Sequence, residues 1–361
     1  MSGPGATAAM EVEAQAAAWD DFVSASPQAT YLQTSAWARV KAPNGWTSDR
    51  VEAEGGGEPG SRVGAQVLLR QPGPFPWAFA YAPRGPIAGE WSDPRATVSR
   101  WTDAVRAHQW SRRPGLLRID PEIERDGPLD PDGAVRSALA GAGWRPAPEI
   151  QPTTTRIVDL TADEDALWSD LRKKWRQYVN RARSLGITVV DVEGDRLADF
   201  HRVMAETSRR TGLPIRTESA YRDIYEAFRP SGNARLLFAQ DPDGGPQAVL
   251  LLVRCGGRIV EPYGGMTAAG AESRANYLVK WEAIRSSREA GATSYDMWGL
   301  VHPGIRQFKA GFGGREVTTI GAWQLALDRI GAALYGAGER VVGRKARGGG
   351  GDAAAEPGLA A

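Results

Sequence analysis

One cysteine in 361 residues excludes an internal disulfide framework and fits a reducing compartment. Cys255 ends the apolar run AVLLLVRC, so it reads as buried and inert. Histidine is almost as scarce: His108, His201 and His302 are scattered, and no His/Cys/carboxylate spacing resembles a metal site. Neither a Gly-x-Ser-x-Gly elbow nor a Walker loop is present. No segment approaches the ~20 apolar residues that a membrane-spanning helix needs. The N-terminal MSGPGATAAM lacks the basic and apolar regions of a signal peptide, so a cytoplasmic protein is expected. If a membrane matters, it is touched from the cytosolic side. A net charge of +1 argues against wholesale nucleic-acid binding and leaves room for local patches. Lysine is the most telling shortage. Against 38 Arg there are only 6 Lys, at positions 41, 173, 174, 280, 309 and 345. Where arginine is the habit, a lysine marks a site wanting a compact charge or one able to exchange a proton.

What is present is an ordinary globular composition, 42% apolar and 24% charged, long enough for two domains. Residues 1–10 and 345–361 are rich in Gly, Ala and Pro and are expected to be disordered. Between them the pattern runs twice through an early helix, an antiparallel meander, a long helix and a late strand. Helices are predicted over 11–24, 35–41, 94–110 and 134–142, with strands at 63–70, 77–81 and 115–120. In the second half Thr161 and Glu164 form a capping box for one helix reaching Leu185 and stopped by Gly186. A strand at 187–192, helices at 196–212 and 218–228, and a meander at 235–240, 247–254 and 258–263 follow. The result is an α+β chain. A first domain spans 11–154, and a second spans 155–330, whose last strand and helix are free to pack back on the first. A C-terminal helix and tail fill 331–361.

Residues 276–314 are the most informative stretch. They read as an amphipathic helix burying Leu278, Trp281 and Ile284, a strand at 294–298, and a cationic Gly-rich loop holding Phe308 and Lys309. After Asp296 no acid occurs until Glu316, while Arg306, Lys309 and Arg315 all fall in the loop. Such a loop suits an anionic ligand or developing negative charge, or Lys309 is a solvated loop cation; both readings stand. The 161–185 helix carries Arg172, Lys173, Lys174 and Arg176 with Trp175 and Tyr178 interleaved. That is the pattern of a nucleic-acid face and equally of a solvated basic one. Asp120 ends a strand before Pro121 as a ligand carboxylate or a plain turn residue. Tyr81-Ala82-Pro83-Arg84-Gly85-Pro86 is a rigid turn presenting Tyr81 and Arg84. Tyr263-Gly264-Gly265 ends a strand at glycines that admit a ligand to the backbone.

Seven motifs in order carry a resemblance. They are LQTSAWARVK followed by Gly45-Trp46, YAPRGP from Tyr81, Ile119-Asp120-Pro121, LRKKWR from Leu171, Tyr263-Gly264-Gly265, Asn276-Tyr277-Leu278 and FKAGFGG from Phe308. Together they span roughly residues 28–330. The chain resembles the Fem family of aminoacyl-tRNA-dependent transferases, which build peptidoglycan interpeptide bridges. The resemblance implies two acetyltransferase-like (GNAT-type) domains in tandem. It also implies transfer of an amino acid, glycine as first expectation, from aminoacyl-tRNA to an amine on the stem peptide of a lipid-linked or nucleotide-linked precursor. Between Arg176 and Tyr263 there is no room for the coiled-coil arm of some members.

By the same resemblance Lys41, Asp120, Arg210 and Tyr263 bind the muropeptide, with Arg209 and Arg216 as neighbouring candidates for Arg210. Tyr81 and Arg84 join that site, and Phe308 and Lys309 sit at transfer. Charge places Arg172, Lys173, Lys174 and Arg176 toward the tRNA. An aminoacyl ester is already activated, so no ATP, metal or other cofactor is expected, aminoacyl-tRNA being a co-substrate. Lys309 would stabilise the oxyanion or leaving oxygen, an effect typically worth a few kcal/mol. Two other readings remain: tRNA-dependent amide formation on a natural-product scaffold, and a CoA-dependent N-acyltransferase. The latter should show an Arg/Gln-x-x-Gly-x-Gly/Ala phosphate loop, which the sequence lacks. A basic C-terminal stretch, Arg340, Arg344, Lys345 and Arg347, offers contact with the inner membrane surface or is simply solvated.

Overall fold

The structure is a computed structural model describing residues 4–54, 62–300 and 302–348, with side chains from Met10 to Glu339 within those segments. The chain divides into two compact units, Met1–Thr153 with Thr318–Ala361, and Thr154–Val317. The chain thus returns to the first unit at Thr318, before the boundary expected at 330. Residues 349–361 of the expected tail lie outside the described ones.

In the first unit α1 (Pro4–Ala25) begins well before the expected Glu11, so residues 4–10 are helical and not disordered. Next come α2 (Ser35–Lys41), β1 (Thr47–Ala53), β2 (Val63–Arg70), β3 (Ala78–Ala82) and the short β4 (Ile87–Ala88). α3 (Pro94–Ala107), capped by Asp93, leads into β5 (Pro114–Ile119), which lies parallel to β3. α4 (Ala134–Gly141) and β6 (Arg145–Pro146) complete the first pass. β1, with mixed polarity and one buried residue, has no clean alternation, and sequence reading missed it. The core packs Trp101 and Trp144 on the buried faces of β2 and β5.

In the second unit β7 (Thr154–Asp159) is followed by α5 (Glu164–Asp170) and α6 (Lys173–Ser184). These are two helices, not the single one expected. Asp163, not Thr161, caps the first by accepting from the Ala166 amide at 2.7 Å, while the Thr161 hydroxyl donates to Asp159. The break falls at Leu171, whose side chain is buried in the core in extended backbone conformation. Arg172 N then donates to Gly311 O at 2.9 Å.

β8 (Thr188–Val192), α7 (Leu197–Thr211), α8 (Glu218–Phe228), β9 (Ala234–Gln240), β10 (Pro246–Cys255) and β11 (Arg258–Met266) build an antiparallel meander with two helices. α9 (Ala268–Ser273) and α10 (Ala275–Glu289) then lead to β12 (Ser294–Asp296), parallel to β11. Leu278, Trp281 and Ile284 of α10 are buried, and Trp281 meets Trp168 edge to face at 4.9 Å. α11 (Pro303–Ala310) and β13 (Arg315–Thr318) close this unit; β14 (Trp323–Ala326) and α12 (Arg329–Gly348) belong to the first. Each unit therefore runs a meander, a long helix and a strand parallel to the meander's last member. Among the described residues each sheet has seven strands, ordered β1-β2-β3-β5-β14-β6 with β4 on β2, and β13-β7-β12-β11-β10-β9-β8.

Candidate functional site

Lys309 is not on a loop. It lies on α11, and its ammonium donates to the carbonyls of Met297, Trp298 and Gly299 at 2.6, 3.1 and 3.0 Å. Those contacts occupy all three of its protons, so Lys309 is not a solvated cation. They grip a turn in which Trp298 takes the left-handed conformation, φ 59°, a strain on the order of 1 kcal/mol. Burial, and after it Lys280, lower the Lys309 pKa to about 8 against the opposing pull of Glu261 and Asp296.

Behind it lies a charge network that sequence reading did not propose. Lys280, inside α10, pairs with Glu261 of β11, and the other Glu261 oxygen accepts from the Tyr295 hydroxyl at 2.6 Å. Burial, then Glu261, pushes the tyrosine well above its usual range. The Lys280 ammonium also lies 5.7 and 6.0 Å from the Phe308 and Phe312 ring centroids. Next to this, buried Asp296 accepts from Thr155, Arg258 and the Trp298 amide. Burial alone would raise its pKa, but Arg258 and these hydrogen bonds hold it below the ordinary value.

An aromatic wall joins α11 to α6. Tyr277 meets Phe308 at 5.2 Å and Trp175 at 5.3 Å, and Trp175 Nε1 donates to Phe308 O at 3.0 Å. The close approach explains Gly311, where a Cβ would overlap the Trp175 ring. On the outer side Arg172, Lys173 and Lys174 are exposed at the start of α6. The Arg172 guanidinium sits 5.7 Å from Trp175, and the Lys174 ammonium 5.7 Å from Tyr178. Arg176 does not belong with them. Its guanidinium turns back onto the carbonyls of Trp168, Ser169 and Leu171 and satisfies the end of α5. Arg306 of the expected cationic loop is likewise tied to Glu316.

Tyr263 lies in β11, and Arg216, not Arg210, is its partner. Arg216 Nε donates to the Tyr263 hydroxyl at 2.6 Å, whereas Arg210 is exposed near the end of α7. Gly264 and Gly265 serve packing, contrary to the expected ligand approach. A Cβ on Gly264 would lie 2.5 Å from Leu250, and one on Gly265 2.7 Å from Thr207.

In the first unit Asp120 is no plain turn residue. One oxygen accepts from the Tyr81 hydroxyl at 2.8 Å and the other from the Arg84 amide at 2.6 Å. Burial raises its pKa to about 6 against the pull of Arg84. The Arg84 side chain is committed to Glu122, at 3.1 Å, and to Pro152 O, at 2.7 Å. Gln33 and Gln66 support this turn: Gln33 Nε2 donates to Pro83 O at 2.8 Å, and Gln33 Oε1 accepts from Gln66 N at 2.7 Å. Lys41 ends α2 with its ammonium 5.5 and 5.8 Å from the Trp37 and Trp46 rings, and is 8% exposed. Lys41, Tyr81, Arg84 and Asp120 thus belong to one unit, and Tyr263, Phe308, Lys309 and the basic helix to the other.

Comparison with known proteins bears on both units. The FemAB family model matches residues 15–127, and an acetyltransferase (GNAT) domain model matches 169–310. A lipid II:glycine glycyltransferase of Staphylococcus saprophyticus is 29% identical over 228 residues, 62% of this chain and 54% of the relative. One from Staphylococcus aureus strain MRSA252 is 27% identical over 229 residues, 62% of this chain and 53% of the relative. The chain therefore spans about half the length of the curated relatives it matches. The crystal structure of FemX shares the fold with a TM-score of 0.79 at 20% identity, across 88% of this chain and 97% of that one. The chain is thus similar to the Fem family through its first unit and its curated relatives, shares the fold of FemX, and matches the acetyltransferase (GNAT) domain model through its second unit.

Proposed function

We propose that this protein transfers an amino acid, glycine in the first instance, from aminoacyl-tRNA to an amine on the stem peptide of a peptidoglycan precursor. The similarity to lipid II:glycine glycyltransferases supports the reaction class. The observation that carries the reading onto this chain is the junction of α6 and α11. Three exposed cations stand at a helix N-terminus, where the macrodipole already favours anions and cations are out of place. A ligand phosphate explains them, and Trp175 links that end directly to the segment bearing Phe308 and Lys309.

In the reaction the acceptor nitrogen attacks the ester carbonyl, the carbon–ribose oxygen bond breaks, and the proton lost by the amine ends on the released ribose hydroxyl. The ester supplies the driving force, so the step needs no ATP. Lys309 supports the developing oxyanion by exchanging one carbonyl contact, the contact to Trp298 O being the longest. For the muropeptide, Asp120, Tyr81 and Lys41 are the binding residues that the first unit offers, and Tyr263 and Arg216 those that the second offers. The acceptor is lipid-linked and met at the cytosolic membrane face. Among the described residues no helix is long and apolar enough to cross a membrane.

The test is product analysis by mass spectrometry after incubation with precursor and tRNA charged in turn with glycine, alanine and serine. One glycine residue on a stem-peptide amine supports the reading. Acetylation from acetyl-CoA without aminoacylation would replace it with the CoA-dependent alternative.

A further inference from the structure

Two buried ion pairs converge on Lys309 from different elements of the second unit. Asp296, at the end of β12, pairs with Arg258 of β11 through one carboxylate oxygen. The other oxygen accepts from the Thr155 hydroxyl and, at 2.7 Å, from the Trp298 amide. That amide shares a peptide plane with the Met297 carbonyl, which is the nearest of the three Lys309 acceptors at 2.6 Å. One oxygen of Asp296 therefore fixes the direction of the shortest Lys309 contact. The Trp298 carbonyl belongs to the next peptide plane and is not held in this way. On the helix side, buried Lys280 pairs with Glu261 while its ammonium faces the rings of Phe308 and Phe312, which bracket Lys309 in the chain. Stability alone gives no reason for two ion pairs here, since well-packed apolar side chains serve a core as well or better. Among the described residues, the other charged groups around α11 are engaged elsewhere. Arg306 pairs with Glu316, Asp170 accepts from the Gly314 amide, Arg156 donates to the Gly313 and Gly314 carbonyls, and Arg172 lies against Trp175.

We propose that Asp296 and Lys280 are positioning residues for Lys309: Asp296 holds the turn that receives its ammonium, and Lys280 holds the helix segment that carries it. Their charges also act on that ammonium in opposite senses. A nearby carboxylate favours the charged form and a second ammonium disfavours it, so Asp296 raises the Lys309 pKa and Lys280 lowers it. The inference rests on the proposed function only in making Lys309 the group that supports the oxyanion; the positioning itself is measured without transfer.

With only six lysines in the chain, Lys309 can be followed directly. The test is an NMR titration of the full chain isotope-labelled at the lysine ε-carbons, with the Lys309 resonance identified as the one missing from Lys309→Arg. Its midpoint is expected near pH 8. Asp296→Asn keeps an oxygen for the Trp298 amide but removes the charge, and should move the midpoint down by roughly one pH unit. Lys280→Met should move it up by roughly one pH unit, and adding Glu261→Gln should bring it part of the way back. The double variant strands no carboxylate, so with Asp296→Asn it keeps the inference testable if Lys280→Met does not fold. Asp296→Ala also frees the Met297 carbonyl, and should lower kcat for transfer about tenfold or more below that of Asp296→Asn. Folded variants whose midpoints stay with that of the unaltered chain, or all move in one direction, would overturn the inference. If the midpoints move as expected while no charged tRNA supports transfer, the proposed function is lost and the positioning stands. If transfer proceeds while the midpoints stay put, the positioning is lost and the function stands.

Discussion

Among side chains, the scarcity of lysine was the clearest signal. Lys41 is caged by two tryptophans, Lys280 is buried against Glu261, and Lys309 grips three carbonyls. The same signal marks Lys280, yet its place inside an amphipathic helix hid the Glu261 and Tyr295 that complete the network. Those lie on other strands, and no spacing in the chain announces them. Lys309→Ala is expected to lower single-turnover transfer by about 10²-fold or more, with tRNA affinity unchanged. The ammonium form dominates below pH 8, so transfer should fall as pH rises through about 8. In Lys309→Arg, which does not titrate there, that inflection should vanish from the pH–rate profile. Asp120 titrates in the opposite window: its carboxylate is lost as pH falls through about 6, so acceptor KM should rise below that pH. An unchanged KM down to pH 5 would remove Asp120 from the binding site. Lys280→Met strands a buried carboxylate and should cost about 3–5 kcal/mol in urea unfolding. Lys280→Met with Glu261→Gln should cost less, because no unpaired charge is left behind.

For the elements, local signals were reliable where one residue decides the backbone. Gly186, Gly212 and Gly291 end their helices in the left-handed conformation, and the Gly256-Gly257 turn joins β10 to β11. They failed where tertiary contacts decide. Nothing local says that Leu171 interrupts a helix, since its burial and the Arg172–Gly311 hydrogen bond arise between distant segments. The glycines of 311–314 suggested a loop as far back as Arg306. They are instead the relief that lets α6 and α5 lie against the end of α11. Gly311→Val should therefore displace Trp175 and lower transfer without removing the cations of α6. Replacing Arg172, Lys173 and Lys174 together with Gln should weaken tRNA binding and reduce the slope of log K against log salt by about 2–3. Arg176→Gln should leave that slope unchanged and lower stability, because its guanidinium serves the end of α5.

Across the whole molecule, the repeated order of meander, long helix and parallel strand was readable from hydrophobic period and turn residues. The return of the last strand and helix to the first unit was allowed for, but neither the residue where it begins nor the strand it pairs with was legible. The pairing of β14 with β5 joins residues about two hundred positions apart, and only hydrogen bonding in the folded sheet specifies it. The twin arrangement gives one unit a buried carboxylate with a caged lysine, and the other a gripped lysine beside a cationic helix end. That division suits a reaction with two large substrates, an amine acceptor and an ester donor. The central claim is that the donor is a charged tRNA. The most direct test follows radiolabel from glycyl-tRNA to purified precursor, with and without prior RNase treatment. The account predicts label on the precursor that RNase pre-treatment abolishes. Folded protein that transfers no label from any charged tRNA would contradict it.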